Sequence, residues 1–289
     1  MGLESLTKRI DPDEIFTFTK FLLLSAVILP VLPNSDFTSF RINPFKTWLV
    51  VVAASAISYG SYVLQRVTKE RGGVVLAALL GGAYSSTVST AVLARRAARE
   101  DHPHLFSGAI LMGSGVMYVR LAALVGLFSR SLLAALAPSF IALAALGMLG
   151  GWIWSRRPDA RTEEVKREFQ PKNPLELSSA FLFGLLFLAM LVATRLAVIY
   201  LGRAGLYSLG AIMGVSDITP FIMGMTQVSP AQVPLQVASA AILIAASSNN
   251  IVKGIYAYAL ADRPTGSQSL WLLIGLAALG LVPLLWWFR

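Results

Sequence analysis

Nine apolar stretches divide the chain, at about 15–33, 45–65, 72–94, 105–128, 131–155, 175–201, 204–227, 233–260 and 268–288. Most reach the roughly 20 residues that a helix needs to cross a hydrocarbon core. The longest polar interval between them, 156–174, is nineteen residues, too short for a soluble catalytic domain. Composition agrees: 56% of the 289 residues are hydrophobic and 13% are charged, about half the ~25% charge of a soluble domain. So few polar residues cannot cover a water-facing surface. A soluble enzyme, a disordered chain and a secreted disulfide scaffold are excluded. The expected fold is an all-α polytopic membrane protein, one membrane domain over 1–289, with the lipid bilayer as its first partner.

Lys and Arg exceed Asp and Glu by nine. The basic residues collect in short loops between apolar runs, as the positive-inside rule expects. No basic face alternates with aromatic residues, so a nucleic-acid partner is not expected. With no cysteine, disulfides, thiolate metal sites and cysteine nucleophiles are excluded. The first fifteen residues carry Glu4, Asp11, Asp13 and Glu14 and no apolar core. No cleavable signal peptide is expected, and the first hydrophobic segment is expected to direct insertion.

An internal repeat organises the rest. Asn43-Pro44 returns as Asn173-Pro174, 130 positions later. Arg71, Gly73, Gly82 and Thr87 return as Arg203, Gly205, Gly214 and Thr219 at an offset of 132. Ala109-Ile110-Leu111 returns as Ala241-Ile242-Leu243 at 132, and Arg120 is followed by Lys253 at 133. Shared composition cannot produce six ordered matches at nearly one offset. Two units of about 130 residues, 43–155 and 173–288, are expected, with the span at 15–33 outside them.

The third and seventh stretches differ from the others. Each begins at glycine and is interrupted by small and hydroxylic residues: Gly81-Gly82-Ala83-Tyr84-Ser85-Ser86-Thr87 and Gly214-Val215-Ser216-Asp217-Ile218-Thr219-Pro220. Gly81, Gly82, Gly214 and Pro220 are the expected helix breaks. Ser86 and Asp217 suit the N-cap of a second half-helix, with Pro220 in its first turn. Paired interruptions at matching repeat positions point to a transport site, although small residues also serve close helix packing. If all nine stretches cross, Lys and Arg divide eight to twelve between the two sides. If these two are re-entrant, the split becomes fifteen to five. The cleaner split favours seven spans plus two re-entrant segments and inverted repeats, with nine spans as the alternative.

Catalysis lacks parts. His102 and His104 occupy a short polar loop beside Arg99, Glu100 and Asp101, where an exposed solvated loop is the expected reading, and no Gly-Lys-Ser/Thr phosphate loop occurs. No enzymatic activity and no cofactor are expected. Ionisable residues inside spans are costly and therefore candidates for function. Asp217 is the only acid deep within an apolar stretch; Arg120, Arg195 and Lys253 are its basic counterparts, and Ser247-Ser248-Asn249-Asn250 is an unusually polar run. An internal ion pair of Asp217 with Lys253 or Arg120 is the structural alternative. Asp217, a candidate metal ligand, joins the amides of Asn249 and Asn250 and the hydroxyls of Ser86, Thr87 and Thr219 in an oxygen-rich site suited to a hard cation. Half-helix N-termini together with Arg120 and Lys253 would suit an anion instead.

The run Gly81–Thr90 followed by Leu93-Ala94-Arg95-Arg96 resembles an uncharacterised bacterial membrane domain that often follows an MgtC/SapB-type domain. Ala204-Gly205-Leu206-Tyr207, Gly214–Thr219 and Ser247–Lys253 extend the resemblance over essentially the whole chain. The family more often carries a second acid near Val215 or Ser216. The resemblance implies the bacterial inner membrane, magnesium or general ion homeostasis, and an MgtC/SapB-type membrane protein as partner. The expected function is a transporter or channel for a small inorganic cation. An anion pathway or a non-transporting membrane regulator or scaffold is the alternative. A homodimer is the default assembly.

Overall fold

A computed structural model describes residues 19, 21–36, 43–67, 73–159, 177–215, 217–227 and 233–287. Lys20, Arg71, Asn173, Pro174, Glu176 and Ser216 lie outside them, as do the beginnings of the stretches at 15–33 and 173–288. A π-helical turn, Leu23–Ile28, runs into one α-helical turn, Leu29–Val31. Eight α-helices follow: α1 Pro44–Val67, α2 Val74–Ala97, α3 Pro103–Phe128, α4 Arg130–Ser155, α5 Leu177–Met213, α6 Thr219–Gln227, α7 Leu235–Leu260 and α8 Arg263–Trp287. The described residues contain no strand. The protein is an all-α polytopic membrane protein.

Local chemistry sets the helix ends. Pro103 opens α3, where its missing N–H costs nothing. Asp159 covers that end, its two oxygens accepting from the backbone N–H groups of His104 and Leu105 at 3.1 and 3.3 Å. Ser129, in extended conformation, ends α3 and starts α4 by accepting from Leu132 N–H at 3.3 Å. His104 is not in a free solvated loop: its Nδ1 lies 2.6 Å from Asp159 Oδ1, and the pair is largely withdrawn from solvent. The spacing His-x-His concealed this, because the partner is 55 residues away.

Seven of the helices are long and apolar enough to cross a membrane: α1, α2, α3, α4, α5, α7 and α8. The number equals the favoured sequence count, but the membership differs. Val74–Ala97 is among the seven, and no helix of that length lies in the described part of 15–33. With nine residues, α6 is too short.

The direction of each helix follows from its contacts. Ser107 and Trp154 both hydrogen-bond Gln268, at 2.8 and 3.0 Å, so α3 begins where α4 ends and α8 begins. At the opposite end Ser129, Ser131, Met225, Thr226, Val233 and Leu235 line one cavity, so α7 begins where α3 ends. The helices α3 and α7 therefore run antiparallel. Both are the most enclosed of the long helices, and α2 packs on both.

Three irregularities interrupt the long helices. Ser85, at φ −156° and ψ 106°, divides α2 into 74–84 and 86–97. Gly202, at φ +58° and ψ −139°, divides α5 into 177–201 and 203–213; a side chain there would be strained, so glycine is required. Residues 214–218 then separate α5 from α6. The half-helix 203–213 and α6 double back on each other: a Cβ on Gly210 would meet the Phe221 ring at 3.4 Å. Residues 210 and 221 in one straight helix would instead be ~16 Å apart.

Candidate functional site

Each interruption leaves backbone groups without helical partners, and in a membrane these must be satisfied by protein. At the first, Ser85 Oγ accepts from Val88 N–H at 3.4 Å and so caps 86–97. The carbonyl of Tyr84, which ends 74–84, accepts from the guanidinium of Arg120 on α3. At the second, Asp217 Oδ1 accepts from Thr219 N–H at 2.9 Å at the start of α6. The carbonyl of Gly214 accepts from Asn249 Nδ2 on α7 at 3.0 Å, and that of Ala211 from Ser248 Oγ at 2.6 Å. In both cases the following long helix supplies the donor.

The two breaks are connected through α7. Lys253 has no exposed surface, and its Nζ donates to Ser114 Oγ at 3.0 Å, Ser86 Oγ at 3.4 Å and, weakly, Met117 Sδ at 3.5 Å. One turn earlier, Asn250 Nδ2 donates to Tyr118 OH at 2.8 Å. The oxygen of that amide and the hydroxyl of Ser247 are buried without a partner. Asn250 and Lys253 thus form a polar face of α7 directed at α3 and the break of α2, and Ser247, one turn earlier, lies against Gly280 of α8.

Most of the expected site residues are present in this arrangement, with corrections in detail. The break of α2 falls at Ser85, not at Gly81 or Gly82, and Ser85 rather than Ser86 provides the capping hydroxyl. Gly81 and Gly82 stay helical because Gly82 serves packing: a Cβ there would come within 2.5 Å of the Gly113 carbonyl. Gly214 does sit at a break, and Pro220 lies in the first turn of α6. Asp217 does not pair with Lys253. It is exposed and stands within electrostatic range of Arg120. Thr219 is buried through the start of α6, and Thr87 is half-buried. Arg195 is half-buried on α5. Among the described residues, no group of three or more His, Asp or Glu side chains could hold a metal ion.

Sequence reading missed Ser85, Ser114, Met117 and Tyr118. Two carried a usable signal. Ser85 precedes Asp217 by 132 positions, the repeat offset, and the hydrogen bond between Tyr118 and Asn250 spans the same 132. Ser114 and Met117 carried none, because single serines and methionines are ordinary in apolar helices.

Fold and site define a polytopic helical membrane protein with two interrupted segments, each held by polar side chains of the next long helix, and one fully buried lysine. Residues 51–261 match the family described as Domain of unknown function (DUF4010), and the chain belongs to that family. An uncharacterized protein of Aquifex aeolicus (strain VF5) is 27% identical over 191 residues, covering 65% of this chain and 83% of that protein. No solved structure matches the chain.

Proposed function

We propose that this protein moves a small inorganic ion across the membrane, past the two interrupted segments and the faces of α3 and α7 that hold them. The observation that carries the proposal is the pair of interruptions itself. At each, the helix is broken within an apolar segment and the freed backbone carbonyl is held by a polar side chain of the next long helix. Non-helical backbone at membrane depth is tolerated where it is enclosed by protein or lines a path. In transporters, such broken helices bind the transported ion.

The contacts also support inverted repeats with two re-entrant hairpins. Gln227 Nε2 donates to the carbonyl of Lys46, so α1 starts at the end of the bundle where α3 finishes. Crossing from there, α1 arrives at the end where α3 starts. A straight α2 would begin ~35 Å from its own end, beyond the ~25 Å that seven residues can span. With Arg96 over the ring of Phe106 at 5.8 Å, both ends of α2 belong beside the start of α3. The other segment enters from the opposite end: Gly210 packs on Ala241 and Gly214 on Ser248, and Met225 and Thr226 are back at that end. Equivalent helices α3 and α7 are antiparallel, as inversion requires.

Reconstitution tests this reading. Purified protein in liposomes, given opposed gradients of KCl, MgCl₂ and sodium phosphate, should dissipate at least one gradient faster than empty liposomes. Asp217→Asn should change the rate or selectivity while the variant still inserts and folds. Absence of flux for every salt would overturn transport and favour the regulator or scaffold reading. Selectivity for Mg²⁺ or K⁺ would uphold the cation pathway built on Asp217, Asn249 and Asn250.

A further inference from the structure

We propose that the interruption of α2 binds a small monovalent inorganic anion, held by Lys253 together with the hydroxyls of Ser86 and Ser114. This names the ion class of the pathway described above and rests on that reading for its route, though not for binding itself.

Charge balance is the first argument. Lys253 is fully enclosed, and every partner of its Nζ is neutral. Among the described residues no carboxylate forms a salt bridge with it. A buried cation without a counter-charge is costly in a membrane interior. The other cation of the site, Arg120, has Asp217 within electrostatic range. Lys253 has no such neighbour among its contacts, and a monovalent anion bound beside it would supply the counter-charge.

Donor geometry is the second. Ser86 and Ser114 spend an oxygen lone pair on Lys253, so each retains a hydroxyl proton to give. Two hydroxyls and an ammonium thereby converge on one place. The third ammonium contact is a thioether 3.5 Å away, a weak acceptor that an anion would displace. Ser89, on the same buried face of 86–97 as Ser86, is 3% exposed and its hydroxyl has no partner. The half-helix 86–97 begins beside this cluster, and its dipole favours negative charge there.

The test uses the full chain in detergent with chloride as the probe, read by the ³⁵Cl NMR line width. The line should broaden saturably with protein. Lys253→Gln should weaken that binding by at least ~10-fold, as loss of a charge-assisted bond requires, while Lys253→Arg retains most of it. Lys253→Gln removes a buried charge and so should still fold; a preserved melting transition checks this. Ser114→Ala supplies a second, milder variant and should weaken binding several-fold. Equal broadening by wild type and Lys253→Gln, or none by wild type, overturns the proposal. Sulfate displacing chloride at lower concentration overturns the monovalent assignment. Chloride binding without flux in liposomes would remove the transport reading and leave this site. Cation flux without chloride binding would do the reverse.

Discussion

The interruption of α2 and the one between α5 and α6 meet the same backbone problem with opposite charges. At Ser85 the half-helix is capped by a neutral hydroxyl, and the freed carbonyl is taken by a cation, Arg120. At 214–218 the cap is a carboxylate, Asp217, and the freed carbonyls are taken by the neutral side chains Asn249 and Ser248. Ser85 and Asp217 occupy matching positions of the two units. The first break is half-buried and has the cation Arg120 and the enclosed Lys253 beside it, whereas the second carries its negative charge at the surface. Similar folds in two halves of one chain do not imply equal electrostatics, and the buried half is where an uncompensated charge acts most strongly.

Exchanging the caps should break this contrast most severely. Ser85→Asp places a carboxylate next to Ser86 and thus near Lys253. It should lower chloride affinity by ~100-fold, the scale of a close charge pair in a poorly solvated site. Asp217→Ser should leave chloride binding within a few-fold of wild type. Equal effects of the two changes, read by ³⁵Cl line width, would mean that cap charge does not distinguish the breaks.

Packing comes next. Gly82→Ala drives a methyl group into the backbone of Gly113, which cannot rotate away. A loss of about 1–3 kcal/mol is expected from such overpacking, measurable as a lower melting temperature in detergent. An unchanged melting temperature would mean that α2 moves freely against α3.

The carbonyl donors sharpen the contrast further. Arg120→Gln loses a charge-assisted bond worth about 1.5–3 kcal/mol, whereas Asn249→Ala loses a neutral one worth about 1 kcal/mol. Chemical denaturation of both variants in mixed micelles should give that order. The reverse order would show that the second break, not the first, is the more dependent on its donor. Smallest is Ser85→Ala, about 0.5–1 kcal/mol for a lost cap, visible as faster backbone hydrogen exchange at 86–89.

Much of this was legible in sequence. Apolar length located the spanning helices, and the Gly/Ser/Thr interruptions located both breaks to within a few residues. Asp217, Arg120 and Lys253 were found because an ionisable group in an apolar run is conspicuous. Their pairing was not legible. An ion pair of Asp217 with Lys253 or Arg120 is the alternative the sequence offers, yet Lys253 meets Ser114, 139 residues away, and Ser86, 167 away. Gly82 illustrates the same gap. Its place in the interrupted run suggests a break or a close backbone approach, and the two have the same sequence signature; the structure shows the close approach.

By itself the sequence determined the medium, the secondary structure and the approximate places where helices yield. Those follow from transfer energy and local backbone preference, which depend on residues close together in the chain. Only the tertiary structure decided which face of α7 turns toward α2 and α3. It also decided that Asp217 is exposed while Lys253 is enclosed by serines, and that α3 and α7 oppose each other. These depend on how antiparallel helices are brought into register by contacts between residues more than a hundred positions apart, and no local pattern encodes that register.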